Sequence, residues 1–303
     1  MNDKEINLTK IISDELDIEP SEVTDIIPLK NGMTNYSYVF CYKRKKYIIR
    51  IPGEGTEQLI NRKREADVYR VICKKGLCDN VLKINPQTGC KITEYYQNAT
   101  VCNPLNAYEV GACMKRLRQF HEMGLKVDHE FDLFEQILFY EKLRTGKASV
   151  YEDYKETRNH IFELKEYIEQ NVEKKVLSHI DAVPDNFLFA EDNGKETIRL
   201  IDWEYAGMQD PHIDIAMFAI YSNYDKNQVD WLISNYFQGD CGNSIRIKIY
   251  CYIAAGGLLW SNWCEYKHMQ GIDFGSYALK QYQYAKKYYQ IVKNELRIKK
   301  YDT

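Results

Sequence analysis

Ser178-His179-Ile180-Asp181-Ala182-Val183-Pro184-Asp185-Asn186, followed downstream by Ile201-Asp202-Trp203-Glu204-Tyr205, is the stretch around which the chain is organised. It reads His-x-Asp-x4-Asn, and a second Asp stands 16 residues after Asn186, at the end of an apolar run. Enzymes of phosphoryl transfer place a catalytic-loop Asp, a metal-binding Asn and a second metal-binding Asp in this order. Asp181 is the candidate to orient an alcohol and accept its proton. Asn186 and Asp202 offer hard oxygens to Mg²⁺, which neutralises charge on nucleotide phosphates. The plainer alternative is a turn in which Asn and Asp cap backbone groups. It accounts for each residue alone but not for the joint spacing. His179 reads as a brace for the loop and Asp185 as an exposed residue.

The whole chain sets the limits. Its 303 residues, 45% hydrophobic and 28% charged, suit a soluble chain with two lobes and two cores. A net charge of −3 gives no reason to expect a nucleic-acid partner. Lys43-Arg44-Lys45-Lys46 sits between two apolar segments and reads as a solvated hairpin tip. No apolar stretch reaches the roughly 18–20 residues of a membrane span. The N-terminus lacks the charged-then-apolar order of a signal peptide, so a cytoplasmic protein is expected. The nine cysteines contain no C-x-x-C pair and read as reduced thiols.

Residues 4–27 read as helical, with a break near Asp17-Ile18-Glu19-Pro20 and a second short helix after Ser21. Tyr36–Tyr42 and Tyr47–Ile51 predict an antiparallel hairpin. A helix over 60–75 and strands over 80–85 and 91–96 complete a small α+β lobe, giving a nucleotide-binding domain 1–96. The remainder, 97–303, reads as a mainly helical catalytic and substrate-binding domain. Its helices are predicted at about 104–123, 131–145, 151–174, 211–222, 226–237, 244–268 and 275–298. Asn103 is the expected cap of the first, with Pro104 at its first position. A hairpin, Asn186–Phe189 with Ile198–Ile201, turns at Asp192-Asn193-Gly194 and ends at Asp202.

Other motifs are weaker alone. Gly32, Thr34 and Asn35, in a turn before the first hairpin, could cover phosphates, or simply lead into a strand. Arg50 ends a strand and Glu65 lies in the next helix, a strand-cation and helix-carboxylate pair that could hold phosphates or form an ordinary salt bridge. Trp260 and Trp263 share a helix face. They could be a core stripe, or, with Tyr277 and other nearby phenols, a wall for a quaternary ammonium, which ring faces attract at about 0.5–2 kcal/mol per contact.

These pieces resemble the choline/ethanolamine kinases, and within them the bacterial choline kinases of the LicA type. The resemblance rests on Asn31-Gly32-Met33-Thr34-Asn35, Tyr47–Gly53 with Gly55-Thr56-Glu57 and Ile60-Asn61-Arg62, the His179–Asn186 loop, Leu200–Tyr205, Asp214-Ile215-Ala216, Trp260–Tyr266 and Gly271–Gly275. It implies an α+β, bilobal, protein-kinase-like fold and Mg²⁺-dependent transfer of the ATP γ-phosphate to choline. It implies Asp181 as catalytic residue, Asn186 and Asp202 as metal ligands, and Arg50 with Glu65 on the phosphates. Adenine would lie near Glu94, Tyr95 and Tyr96. The trimethylammonium would meet Trp260, Trp263 and Tyr205 or Tyr277, with Trp203 linking metal site and substrate site. One departure stands out: animal members carry a carboxylate seven residues after the Asp that matches Asp214, and here that position is Tyr221. The ammonium would then be balanced by Glu204 or Glu265, or by rings alone. Competing readings are a kinase for ethanolamine, thiamine or an aminoglycoside, and a pseudokinase that binds without turnover. Oligomeric state is not legible.

Overall fold

The structure, a computed structural model, describes residues 3–29, 35–53, 55–192 and 194–301. The chain divides into two compact units. One holds residues 1–101 and 186–205; the other holds 102–185 and 206–303.

The first unit is built on a five-stranded antiparallel sheet of order β1-β2-β3-β5-β4. Its centre is the predicted hairpin, β2 (Asn35–Tyr42) and β3 (Lys45–Pro52). Lys43 and Arg44 make the turn, both with positive φ. Alternation along β2 and β3 turns Tyr38, Phe40, Tyr47 and Ile49 to one face. There Leu8 and Ile12 of α1 (Asp3–Leu16), one turn apart, close the core with Ile92. Each such side chain stabilises by about 1.5–3 kcal/mol on burial. The segment after α1 departs from the helical expectation: a 3₁₀ turn at Pro20–Glu22 leads into edge strand β1 (Thr24–Pro28). Pro28 is tolerated there because an edge strand has N–H groups to spare. Helix α2 (Arg62–Ile72) is capped by the Asn61 side chain, and β4 (Val81–Ile84) and β5 (Lys91–Glu94) complete the sheet. A three-stranded sheet, β6 (Thr100–Val101) with β8 (Phe187–Asp192) and β9 (Lys195–Leu200), carries the second predicted hairpin.

The second unit is helical apart from β7 (Val176–Ser178) paired with β10 (Gly207–Gln209). Its axis is α8 (Asn243–Met269), buried continuously from Ile247 to Lys267. A helix apolar all round must be covered on every side. Helices α4 (Leu133–Leu143), α5 (Tyr154–Asn171), α6 (His212–Tyr221) and α9 (Ser276–Tyr301) do this, while α7 (Lys226–Phe237) packs on α3 (Ala107–Glu122). Gly257 lets α9 approach: a Cβ there would lie 2.6 Å from the Gln281 carbonyl oxygen. The cap of α3 is Asn106, whose side chain accepts from the Tyr108 and Glu109 amides, not Asn103. Among the described residues no helix is long and apolar enough to cross a membrane.

Candidate active site

The β8–β9 hairpin brings two distant residues together. Phe187 pairs with Leu200, so Asn186 and Ile201 stand side by side at its open end, and the Ile201 amide donates to the Asn186 carbonyl at 3.0 Å. Asp202 follows with φ +65°, a left-handed conformation that non-glycine residues rarely adopt. Its side chain keeps 33% exposure while one oxygen accepts from Arg50 at 2.9 Å. Both residues offer oxygen donors of the kind Mg²⁺ takes, alongside water and phosphate.

Arg50 is at the centre of the polar core of the first unit. It reaches Glu65 of α2 at 2.5 Å and Asp202 at 2.9 Å, with Glu204 at 3.7 Å. Burial alone would lower its pKa, but the carboxylates of Glu65, Asp202 and Glu204 more than offset this and hold it above the usual value. The predicted Arg50–Glu65 pair is therefore formed. A second cation was not foreseen as a site residue. Arg62 touches Glu65 and Glu204, each at 3.2 Å, and the Asn35 and Thr56 side chains. Asn35 also donates to Glu204 at 2.9 Å. Burial, then the neighbouring Asp202, raises the Glu204 carboxyl above the ordinary carboxylate range.

Two assignments change as a result. Glu204 holds the arginine cluster of its own unit and is not a carboxylate left for a substrate ammonium. Trp203 has no exposed surface, and its indole N–H donates to the Leu200 carbonyl at 2.8 Å. It is a packing residue, not a ring offered to a ligand. Tyr205 is partly buried at the end of this segment. Glu94 accepts from the Asn80 side chain, and the Glu94 and Tyr95 amides donate to the Asn80 and Lys46 carbonyls. Gly32 and Thr34 lie outside the described residues.

In the helical unit, the loop after β7 is held by one buried carboxylate. Asp214 accepts from the His179 amide at 2.8 Å and the Ile180 amide at 2.7 Å. Its third partner is His121 Nε2 at 2.9 Å, and His121 Nδ1 lies 2.8 Å from the Tyr236 hydroxyl. One tautomer satisfies the chain: Tyr236 donates to Nδ1 and Nε2–H donates to Asp214. These bonds fix Ile180 at φ +70°, a costly conformation for a β-branched residue. The backbone leading into Asp181 is thus held by Asp214. Asp214 was legible only as part of a motif; His121 gave no sequence signal.

Beside this loop runs a row of rings. Trp260 meets Trp263 edge-on at 6.2 Å, Trp263 meets Phe274 at 4.9 Å, Phe274 meets Tyr277 at 6.4 Å, and Tyr277 meets Tyr221 at 6.1 Å. Tyr221 donates to Asp185 at 2.8 Å. Burial raises the pKa of both tyrosines; the Asp185 hydrogen bond and charge add to it at Tyr221, and the neighbouring Cys264 and Asp181 add to it at Tyr277. Trp263 is 3% exposed and its indole nitrogen has no hydrogen-bond partner among the described residues. Glu265, the other carboxylate considered for the ammonium, is taken by Arg144, the Ser149 hydroxyl and the Val150 amide.

Two units of this build, with an Arg–Glu pair on the sheet and a braced Asp loop in the helical part, define an ATP-dependent phosphotransferase of the protein-kinase-like fold. The choline/ethanolamine kinase family model matches residues 26–238, and the chain belongs to that family. It is similar to Protein LicA of Haemophilus influenzae, 26% identical over 82% of this chain and 95% of that one. The structure is similar to the choline kinase LicA of Streptococcus pneumoniae, with 30% identity, TM-score 0.79, and coverage of 94% of this chain and 99% of the other. It is also similar to LicA in complex with AMP, at 28% identity, TM-score 0.81 and coverage of 96% and 100%. An aminoglycoside phosphotransferase at 16% identity and TM-score 0.63 shares the fold. The chain is thus a choline or ethanolamine kinase.

Proposed function

We propose that the substrate is choline and that the reaction is Mg²⁺-dependent transfer of the ATP γ-phosphate to its hydroxyl. The observation that carries this is the row Trp260-Trp263-Phe274-Tyr277-Tyr221, which ends beside the loop bearing Asp181. A trimethylated ammonium cannot donate hydrogen bonds and is drawn to ring faces. A primary ammonium has three donors and needs acceptors. Glu204 and Glu265, the acceptors the sequence offered, are both engaged elsewhere, which disfavours ethanolamine and polycationic aminoglycosides alike.

Asp181 takes the hydroxyl proton and aims the oxygen at the γ-phosphorus. Asn186 and Asp202 would hold Mg²⁺, which when bound neutralises phosphate charge. Arg50, kept charged and aimed by Glu65, grips phosphate oxygens; Gly32, Thr34 and Asn35 are assigned to phosphate binding, and Glu94 with Tyr95 to the adenine. Rate enhancement on this account comes from positioning and electrostatics, the usual sources in phosphoryl transfer.

The test is ADP release with choline, ethanolamine, thiamine and an aminoglycoside, in wild type and Trp263→Ala. Choline should be the preferred acceptor, and the variant should raise the choline KM about tenfold or more while the ATP KM moves less than about threefold. Equal effects on both would mean that Trp263 is only a core residue. Preference for another acceptor would refute the choline assignment.

A further inference from the structure

We propose that Asp185, capped by Tyr221, is the counter-charge for the substrate ammonium, and that the cap selects a trimethylated over a primary ammonium. The inference rests on the choline reading above and assigns the charge that reading lacks. Among the described residues the Tyr221 hydroxyl, at 2.8 Å, is the one hydrogen-bond partner of the Asp185 side chain. Asp185 itself is exposed, on the same loop as Asp181. Through Tyr221 it is joined to the ring row: Tyr277 lies 6.1 Å away and Phe274 a further 6.4 Å.

The physics of the cap is asymmetric. Accepting one O–H bond leaves the net charge of Asp185 at −1, so its attraction for any cation persists. A phenol that donates to a carboxylate also holds a more electron-rich ring face, which favours a cation above it. What the cap takes up is an acceptor position on Oδ2, the carboxylate oxygen on the side of the ring row. A primary ammonium sheds water on entering an aromatic site and must replace those bonds; a trimethylated one has none to replace. Asp185 therefore attracts both substrates, while Tyr221 leaves the primary amine one acceptor position fewer on the side of the rings, a loss the trimethylated ammonium does not feel. Glu204 and Glu265 leave this role open, since each is committed to arginines.

The test is a double-mutant cycle on two isosteric changes, Asp185→Asn and Tyr221→Phe. The reaction is followed with choline, ethanolamine and the mono- and dimethylated intermediates. Asp185→Asn should lower kcat/KM about 3- to 10-fold for choline, through KM, with the ATP KM changed less than about twofold. Tyr221→Phe should raise the ethanolamine-to-choline ratio of kcat/KM about 3- to 10-fold and flatten the rise with successive methylation. The double variant should show no Tyr221 effect beyond that of Asp185→Asn alone, because the two act as one unit. Unchanged ratios in Tyr221→Phe, additive effects, or equal changes in the ATP KM would overturn the inference while leaving the choline assignment standing. Wild-type turnover of neither amine would refute the choline assignment itself, and this inference with it.

Discussion

A guanidinium as buried as that of Arg50 is tolerable only with carboxylates around it, and Glu65, Asp202 and Glu204 provide them. The same logic at His212 gives the opposite sign. Its ring packs against Tyr236 and Phe237, and burial lowers its pKa from 6.5 to about 4 despite the nearby Asp210. Lys248 competes for that carboxylate at 2.6 Å. The folded state thus refuses a proton that the unfolded chain accepts. Stability from this residue is complete above about pH 6.5 and is lost as pH falls toward 4, by about 3 kcal/mol at most. Denaturant unfolding at pH 7 and pH 4.5 checks this: His212→Gln should lose clearly less stability than wild type over that interval, and parallel losses would contradict it. At this scale the sequence was a partial guide. The Arg50–Glu65 pair and the hairpin that joins Asn186 to Asp202 were legible because spacing and turn residues encode them directly. The Asp202-Trp203-Glu204-Tyr205 run misled, because neighbours in a sequence face different ways. Trp203 enters the core while Glu204 meets Arg62 and Asn35.

At the scale of elements, hairpins do most of the positioning. The β8–β9 ladder converts a gap of 16 residues between Asn186 and Asp202 into adjacency. Helix α8 is a different device: a continuously buried axis whose Gly257 admits α9. Gly257→Ala places a methyl group 2.6 Å from the Gln281 carbonyl oxygen and 2.8 Å from the Ala285 nitrogen, both backbone atoms that cannot swing aside. Despite alanine's better helix propensity, the change should destabilise by about 1–3 kcal/mol, read as a lower unfolding midpoint at unchanged m-value. A stabilised variant would mean that the helices do not pack this closely. Long periodic helices were readable from sequence, whereas β1 was not. Thr24-Asp25-Ile26-Ile27-Pro28 is mostly exposed and owes its extended form to pairing with β2, a partner no local pattern reveals. The short β7 and β10 escaped for the same reason.

At the scale of the molecule, the residues proposed for the reaction are divided between the two units. The helical unit supplies Asp181, Asp185 and the aromatic row; the sheet unit supplies Arg50, Glu65, Asn186 and Asp202. On the proposed assignment the phosphate residues and the onium residues fall in different units, which predicts that one set can be impaired while the other is intact. Asp181 is where that division is most informative, since the proposed proton acceptor sits on a loop held within the helical unit by Asp214. The decisive measurement is therefore single-turnover phosphoryl transfer to choline by Asp181→Ala, alongside nucleotide binding by calorimetry. Transfer should fall by at least about a thousandfold while the ATP affinity stays within about threefold of wild type. A variant that still phosphorylates choline at a rate near wild type would contradict the account.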